Sequence, residues 1–145
     1  MIALLQRVCS AGVVVEQRTV AQINNGIVAM IGIEKADTHD KAQRLLQRVL
    51  GYRIFADDQG KMNLGLKDVR GDLLLVPQFT LAADTRKGMR PSFSSAAPPE
   101  QSRQQFSDLC EMAIEIYPLV QTGVFAADMQ VSLVNDGPVT FWISV

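Results

Sequence analysis

Few residues in this sequence are equipped for chemistry. Among 145 residues there is one histidine, His39, and two cysteines, Cys9 and Cys110. A two- or three-histidine metal site cannot be built within one chain from that inventory. His39 lies between Asp37 and Asp40 at a helix start, a poor place for a triad base and an ordinary one for a solvated first-turn residue. The cysteines form no CxxC pair and no secretory signal is evident, so reduced, buried thiols are expected. Asp57, Asp58 and Gly60 share the opening spacing of a calcium loop but lack its later acidic positions, and a hairpin turn is the simpler reading. Neither GxGxxG nor GxxxxGK[ST] occurs, so dinucleotide and P-loop readings have no support.

Three loops offer more. Pro77-Gln78-Phe79-Thr80-Leu81 follows an apolar run, where backbone N–H groups and a hydroxyl can point together into a cleft. On composition alone, Phe79 is equally a core anchor and Thr80 a turn residue. Asn135-Asp136-Gly137-Pro138 combines a residue that permits close backbone approach with one that fixes the chain; a plain hairpin turn is the alternative. Thr85-Arg86-Lys87-Gly88-Met89-Arg90 puts three positive charges in six residues, enough to meet a few phosphates, or simply a solvated loop.

The elements that must position these loops follow from periodicity. Ile2 to Cys9 alternates as a strand, and Ser10-Ala11-Gly12 reads as a turn into Val13-Val14-Val15. A short strand over 19–23 and the turn Asn24-Asn25-Gly26 lead into Ile27 to Ile33, apolar on both faces and so a central strand. Asp37-Thr38 caps a helix with the stripe Ala42, Leu45, Leu46, Val49 and Leu50, ended by a left-handed Gly51. Strands are expected at Tyr52 to Phe55, Met62 to Leu64 and Leu73 to Val76, the last stopped by Pro77. Pro98-Pro99-Glu100 opens a second helix with the stripe Phe106, Leu109, Cys110, Ala113 and Tyr117, ended by Pro118. Met129 to Val134 and Val139 to Val145 alternate on either side of the Asn-Asp-Gly-Pro segment as a hairpin.

These elements make one α/β domain over residues 1–145: a mixed, strongly curved or barrel-like sheet with two amphipathic helices. Both apolar strands need cover on two sides, which favours a homodimer. Fourteen Lys and Arg against fifteen Asp and Glu give a net charge of −1. That excludes a broad basic surface as the source of nucleic-acid affinity, though not a local patch. No apolar run approaches the ~20 residues that cross a bilayer, so no membrane association is expected.

Taken together, the blocks resemble one family. Gln78-Phe79-Thr80-Leu81 after an apolar strand, with Asn135-x-Gly137-Pro138-Val139-Thr140 near the carboxyl end, is similar to the D-aminoacyl-tRNA deacylases. The similarity takes in Leu4-Leu5-Gln6-Arg7-Val8, Gly51-Tyr52-Arg53-Ile54-Phe55, Gly60-Lys61-Met62-Asn63-Leu64 and Leu81-Ala82-Ala83-Asp84. It continues through Gly88-Met89-Arg90-Pro91-Ser92-Phe93, Gln121-Thr122-Gly123 and Asp128-Met129-Gln130-Val131. The resemblance implies a homodimer that hydrolyses the ester between a D-amino acid and the terminal adenosine of tRNA, with no metal or organic cofactor. Removal of glycine from tRNA for alanine is implied as well.

By the same resemblance, Gly137-Pro138 is a Gly-cisPro motif that enters the partner's pocket and excludes L-amino acids, and Arg7 holds it. Gln78, Phe79 and Thr80 form the catalytic motif. Phe79 and Thr80 supply backbone N–H groups, Thr80 orients, and the substrate's 2′-hydroxyl assists hydrolysis. Phe125 and Met129 line the adenosine pocket, and Arg86, Lys87 and Arg90 are the expected tRNA phosphate contacts. The partners implied are tRNA and a second copy of the chain, with no DNA and no membrane, in the cytoplasm. One position departs: the family's usual serine before Gln78 is Pro77, which removes a hydroxyl and an N–H. That change motivates an alternative, a non-catalytic tRNA-binding module of the same fold; a small-molecule esterase is the other.

Overall fold

The computed structural model describes residues 1–145. One long strand organises it. β1 (Ile2–Val15) pairs along one edge first with β3 (Gly26–Gly32), then with β2 (Arg18–Ile23), and along its other edge with β8 (Gln130–Ser144). Beyond β3 lie β6 (Asp72–Pro77) and β7 (Val120–Thr122), each parallel to its neighbour. A separate two-stranded ribbon joins β4 (Phe55–Ala56) to β5 (Met62–Leu64). β2 touches β6 and β7 without bonding to either, so the sheet curls nearly into a barrel.

Helix α1 (His39–Gly51) starts where Thr38 Oγ1 accepts the Lys41 N–H, and its stripe of Ala42, Leu45, Leu46, Val49 and Leu50 is buried as the spacing predicts. Gly51 is helical rather than left-handed. The chain leaves the helix through extended Tyr52, whose ring meets Phe141 edge-on at 5.2 Å and fixes the exit without a special residue. A four-residue α2 (Leu66–Val69) precedes β6, and α3 (Pro99–Ile116) buries Phe106, Leu109 and Ala113. Tyr117 follows it, donating its hydroxyl to the Gly71 carbonyl at 2.5 Å.

Two apolar clusters hold the sheet. The larger fills the space between α1, α3 and the face carrying Ala3, Leu5, Ile27, Ile31, Leu73 and Leu75. The smaller joins Val8, Ala11, Val13, Ala21, Ile23, Val28, Leu74 and Val76 inside the curl. Each fully buried aliphatic side chain contributes about 1.5–3 kcal/mol. The second face of β3 and β6 is thus covered at Val28, Leu74 and Val76 by the chain itself. What stays open is a cross-strand row, Met30–Leu4–Trp142, with Trp142 54% exposed.

Four further expectations need correction. The strand expected at Tyr52 to Phe55 is reduced to β4, with residues 52–54 outside any ladder. Ser10-Ala11-Gly12 is no turn: β1 runs through it, and the chain reverses at Glu16-Gln17, both in the left-handed region. Cys9 is exposed rather than buried, because the β1–β8 register shifts around Val8 to Ser10 and breaks the alternation there. The carboxyl-terminal hairpin is a single strand, since both halves of β8 pair with β1, from Ile2↔Ser144 to Val14↔Gln130. A fourteen-residue β1 can template both halves, so the Asn-Asp-Gly-Pro segment leaves the ladder and rejoins it instead of reversing it.

Candidate active site

Strands β3, β6 and β7 run parallel, and their carboxyl ends deliver the chain to one cavity of about 720 Å3. That size suits a small ligand or one nucleoside with an attached group. Ile31, Ile33 and Lys35 line it after β3; Val76, Pro77, Gln78 and Phe79 after β6; Phe125, Met129 and Val131 beyond β7. Ala96 to Pro99 and Ser102, at the start of α3, complete the wall.

Local bonding shapes the segment after β6. The Gln78 N–H donates to the Ile31 carbonyl at 2.7 Å, the last rung between β6 and β3. Since successive N–H groups alternate, residue 77 faces the other edge, beyond the last β7 pairing of Leu75 with Thr122. Proline at 77 therefore forfeits no ladder bond. Phe79–Ala82 then forms a 3-10 turn, closed by Leu81 N–H to the Gln78 carbonyl and Ala83 N–H to Thr80. As its leading residues, Phe79 and Thr80 have N–H groups with no acceptor inside the turn.

The turn's side chains are arranged with it. Gln78 Nε2 donates to Thr80 Oγ1 at 2.5 Å, while Phe79 is 60% exposed with its ring centroid 5.1 Å from that of Phe93. Phe125 lies 6.3 Å from Phe106, and Met129 Sδ accepts the Val124 N–H at 3.3 Å. No histidine or carboxylate lines the cavity, and Lys35 is its one charged wall residue. Thr80 itself is exposed and is not among the wall residues, and nothing on the wall can take its proton in the manner of a triad.

Arg7, Gly137 and Pro138 assemble elsewhere. Opposite Arg7, four residues of β8, Asp136 to Val139, leave the ladder between Gln6↔Thr140 and Val8↔Asn135. Asn135 clamps the base of this excursion: its Oδ1 accepts the Val139 N–H at 2.7 Å and its Nδ2 donates to Thr140 Oγ1 at 3.0 Å. Arg7 Nε donates to the Asp136 carbonyl at 3.0 Å and pairs with its carboxylate at 3.1 Å; the guanidinium also bonds the Ile54 carbonyl at 2.6 Å. Gly137 has φ +141°, and a Cβ there would stand 2.6 Å from the Val139 side chain, so glycine is required. The Gly137–Pro138 peptide is cis, and both residues are exposed and outside the cavity.

The basic loop is exposed as well. Arg86 is engaged by Asp84 in a two-point pair, Nε to Oδ1 at 2.9 Å and an Nη to Oδ2 at 2.7 Å. This pair holds the Asp84 carboxyl well below the usual carboxylate range. Lys87 and Arg90 carry no ion pair.

A family model described as D-Tyr-tRNA(Tyr) deacylase matches residues 4–144. The chain belongs to the D-aminoacyl-tRNA deacylases, enzymes that hydrolyse aminoacyl-tRNA esters. A D-aminoacyl-tRNA deacylase of Thioalkalivibrio sulfidiphilus is 59% identical over 145 residues, covering all of this chain and 97% of that one. One of Yersinia pestis is 54% identical over the full length of both. Among solved structures, one described as the c-Myc DNA unwinding element binding protein superposes with a TM-score of 0.96 at 34% identity, covering 100% and 99% of the two chains. Another, presented as a "probable eukaryotic D-amino acid tRNA deacylase", shares the fold at a TM-score of 0.87 and 15% identity, covering 99% and 98%.

For a member of this deacylase family, sequence reading left several positioning residues unnamed. A Cβ at Gly32 would stand 2.8 Å from Leu81 Cβ, so glycine lets the 3-10 turn seat on β3. A Cβ at Gly123 would stand 2.9 Å from Met129 Sδ and 3.3 Å from the Pro77 ring. Gly32 sits inside the apolar run Ile27 to Ile33, a signal for close approach that could have been read, whereas Gly123 follows Gln121-Thr122 and carries none. Asn135 is named in the sequence only as part of the family motif, without its clamping role, and Lys35 on the cavity wall has no signal at all.

Proposed function

We propose that this protein hydrolyses the ester joining a D-amino acid to the terminal adenosine of tRNA, releasing free amino acid and tRNA and rejecting L-amino acids. The observation that supports this reading is a single cavity lined by Gln78 and Phe79 of the motif and by Phe125 and Met129, with Thr80 next along the chain. Within it, water adds to the ester carbonyl while the Phe79 and Thr80 N–H groups receive the developing oxyanion. The substrate's own terminal 2′-hydroxyl assists proton transfer, and the 3′-oxygen leaves with a proton. Thr80 orients, its hydroxyl held by Gln78. The lack of any histidine or carboxylate on the wall supports this division of labour.

Chirality is read by a second chain in this proposal. Gly137 and Pro138 are exposed and away from their own cavity, so contact with substrate calls for insertion into a partner's. There the backbone carbonyls face the chiral centre, and Arg7 and Asn135 keep the excursion in shape. The open row of Leu4, Met30 and Trp142 supports a homodimer through this face. Glycine has no side chain to be refused, so Gly-tRNA(Ala) is a second substrate. Lys87 and Arg90, with Arg86 beside them, meet tRNA phosphates from the basic loop. No cofactor is required, and tRNA as substrate points to the cytoplasm. A net charge of −1 offers no broad face for duplex DNA.

D-Tyrosyl-tRNA is the direct test: free D-tyrosine should appear with multiple turnovers. Ending the tRNA in 2′-deoxyadenosine should cut the rate by about 100-fold or more, the scale of a missing proton-transfer catalyst. Undiminished hydrolysis of that substrate would remove the 2′-hydroxyl from the mechanism. Tight tRNA binding without turnover would favour the non-catalytic module instead.

A further inference from the structure

We propose that Lys35 and Arg103 form a phosphate-binding pair at the cavity, holding the single-stranded 3′ end of tRNA beside the terminal adenosine. This rests on the reading of the cavity as the aminoacyl-adenosine site. Among the residues lining that cavity, Lys35 alone is charged, and no acidic side chain shares the wall with it. Arg103 stands on the first turns of α3 with its guanidinium carbon 4.9 Å from the centroid of the Phe125 ring, itself part of the wall. Neither cation has an ion-pair partner, in contrast to Arg86.

Hydrogen bonds through the Lys35 backbone tie the two elements that carry these cations to each other. The Lys35 N–H donates to the Ser95 carbonyl at 3.2 Å, and Gln101 Nε2 donates to the Lys35 carbonyl at 3.2 Å. The loop after β3 is thereby tied to the start of α3, two residues from Arg103. Stacking on Phe125 orders the Arg103 side chain while leaving its N–H edge free.

Charge decides which part of the substrate this corner receives. An aminoacyl ester carries an α-ammonium on one side and the nucleotide's 5′-phosphate on the other. A cationic corner repels the first and attracts the second. The phosphodiester therefore lies toward Lys35 and Arg103, with the amino acid toward Gln78-Phe79-Thr80. Recognition is of backbone phosphate, with no preference for base sequence.

The test compares D-tyrosyl-tRNA with D-tyrosyl-adenosine, which has the nucleoside but no phosphate. For the double variant Lys35→Ala, Arg103→Ala, the ratio of kcat/KM on tRNA to that on the nucleoside ester should fall by about 10-fold or more. The log–log salt dependence on tRNA should flatten by about 0.7 for each phosphate the variant no longer neutralises. Lys35→Arg with Arg103→Lys keeps both charges and should recover most of the ratio. An unchanged ratio and salt slope in the alanine variant would overturn the proposal. If the unaltered protein cleaves neither ester, the aminoacyl-adenosine reading itself fails, which is a different result.

Discussion

At the scale of single residues, the proposed mechanism relies on placement rather than reactive side chains. Thr80 has a hydroxyl held by Gln78 and no base, so Thr80→Val is expected to keep kcat within about 10-fold of the original in single-turnover deacylation. Loss of all activity in a folded Thr80→Val variant would return a chemical role to the hydroxyl. The two thiols should separate cleanly. Cys9 is exposed, whereas burial, aided by the neighbouring Glu111 charge, pushes the Cys110 thiol up to about 12. Iodoacetamide at about pH 8 is expected to label Cys9 in the native protein and Cys110 only after unfolding, as peptide mass mapping would reveal. In the basic loop, Asp84 has its carboxyl depressed by the Arg86 side chain and then by the Arg86 N–H. A depressed native pKa means the Asp84–Arg86 link is fully present above the unfolded value of about 3.9 and is lost as pH falls further. A carboxyl titration followed by NMR should place the Asp84 midpoint below that value; a midpoint at or above it contradicts the pairing.

At the scale of elements, β1 is the template and the β8 excursion is the device built on it. Asn135 closes the excursion and Arg7 grips its Asp136 corner, so Asn135→Ala should loosen Gly137 and Pro138 without unfolding the strand. The cost to stability is expected at about 1–3 kcal/mol by urea unfolding, with a larger proportional loss of discrimination between D- and L-esters. Equal discrimination in that variant would separate the excursion from chirality. The start of β1 is held separately: the Met1 ammonium meets buried Asp37 at 2.5 Å, and Asp37 also accepts the Glu34 N–H at 2.7 Å. Asp37→Ala leaves that ammonium with Glu34 at 3.3 Å and the Val145 carbonyl at 3.2 Å, and is expected to cost about 1–3 kcal/mol by urea unfolding. The helices were legible in the sequence because a 3.6-residue stripe, a threonine cap and a proline start all agreed. The misread elements each had a physical reason. Asn-Asp-Gly-Pro carries turn chemistry whether the chain reverses or bulges, and only the length of β1 decides between them. β7 has three residues and α2 four, too short for periodicity to register. The roles proposed for Gln78-Phe79-Thr80 and Gly137-Pro138 come from family resemblance alone, because local composition reads equally well as turn and core. Lys35 reaches the cavity only through tertiary bonds to Ser95 and Gln101, which no local pattern announces.

At the scale of the whole molecule, each chain carries a cavity and an exposed excursion that does not line it. Two chains resolve that mismatch if each inserts Gly137 and Pro138 into the other. Light scattering at micromolar concentration should then give twice the chain mass of 15.9 kDa, and a stable, active monomer would refute the shared site. The single histidine and the near-balanced charge are compatible with the proposal that backbone groups position an ester supplying its own hydroxyl and that phosphate recognition is local. Stereochemistry tests this account most directly. Purified protein is mixed with matched D- and L-tyrosyl-tRNA and free tyrosine is followed over time. Rapid release from the D-ester, with the L-ester lost no faster than its spontaneous hydrolysis, is the expected result. Equal release from both, or from neither, contradicts the central claim.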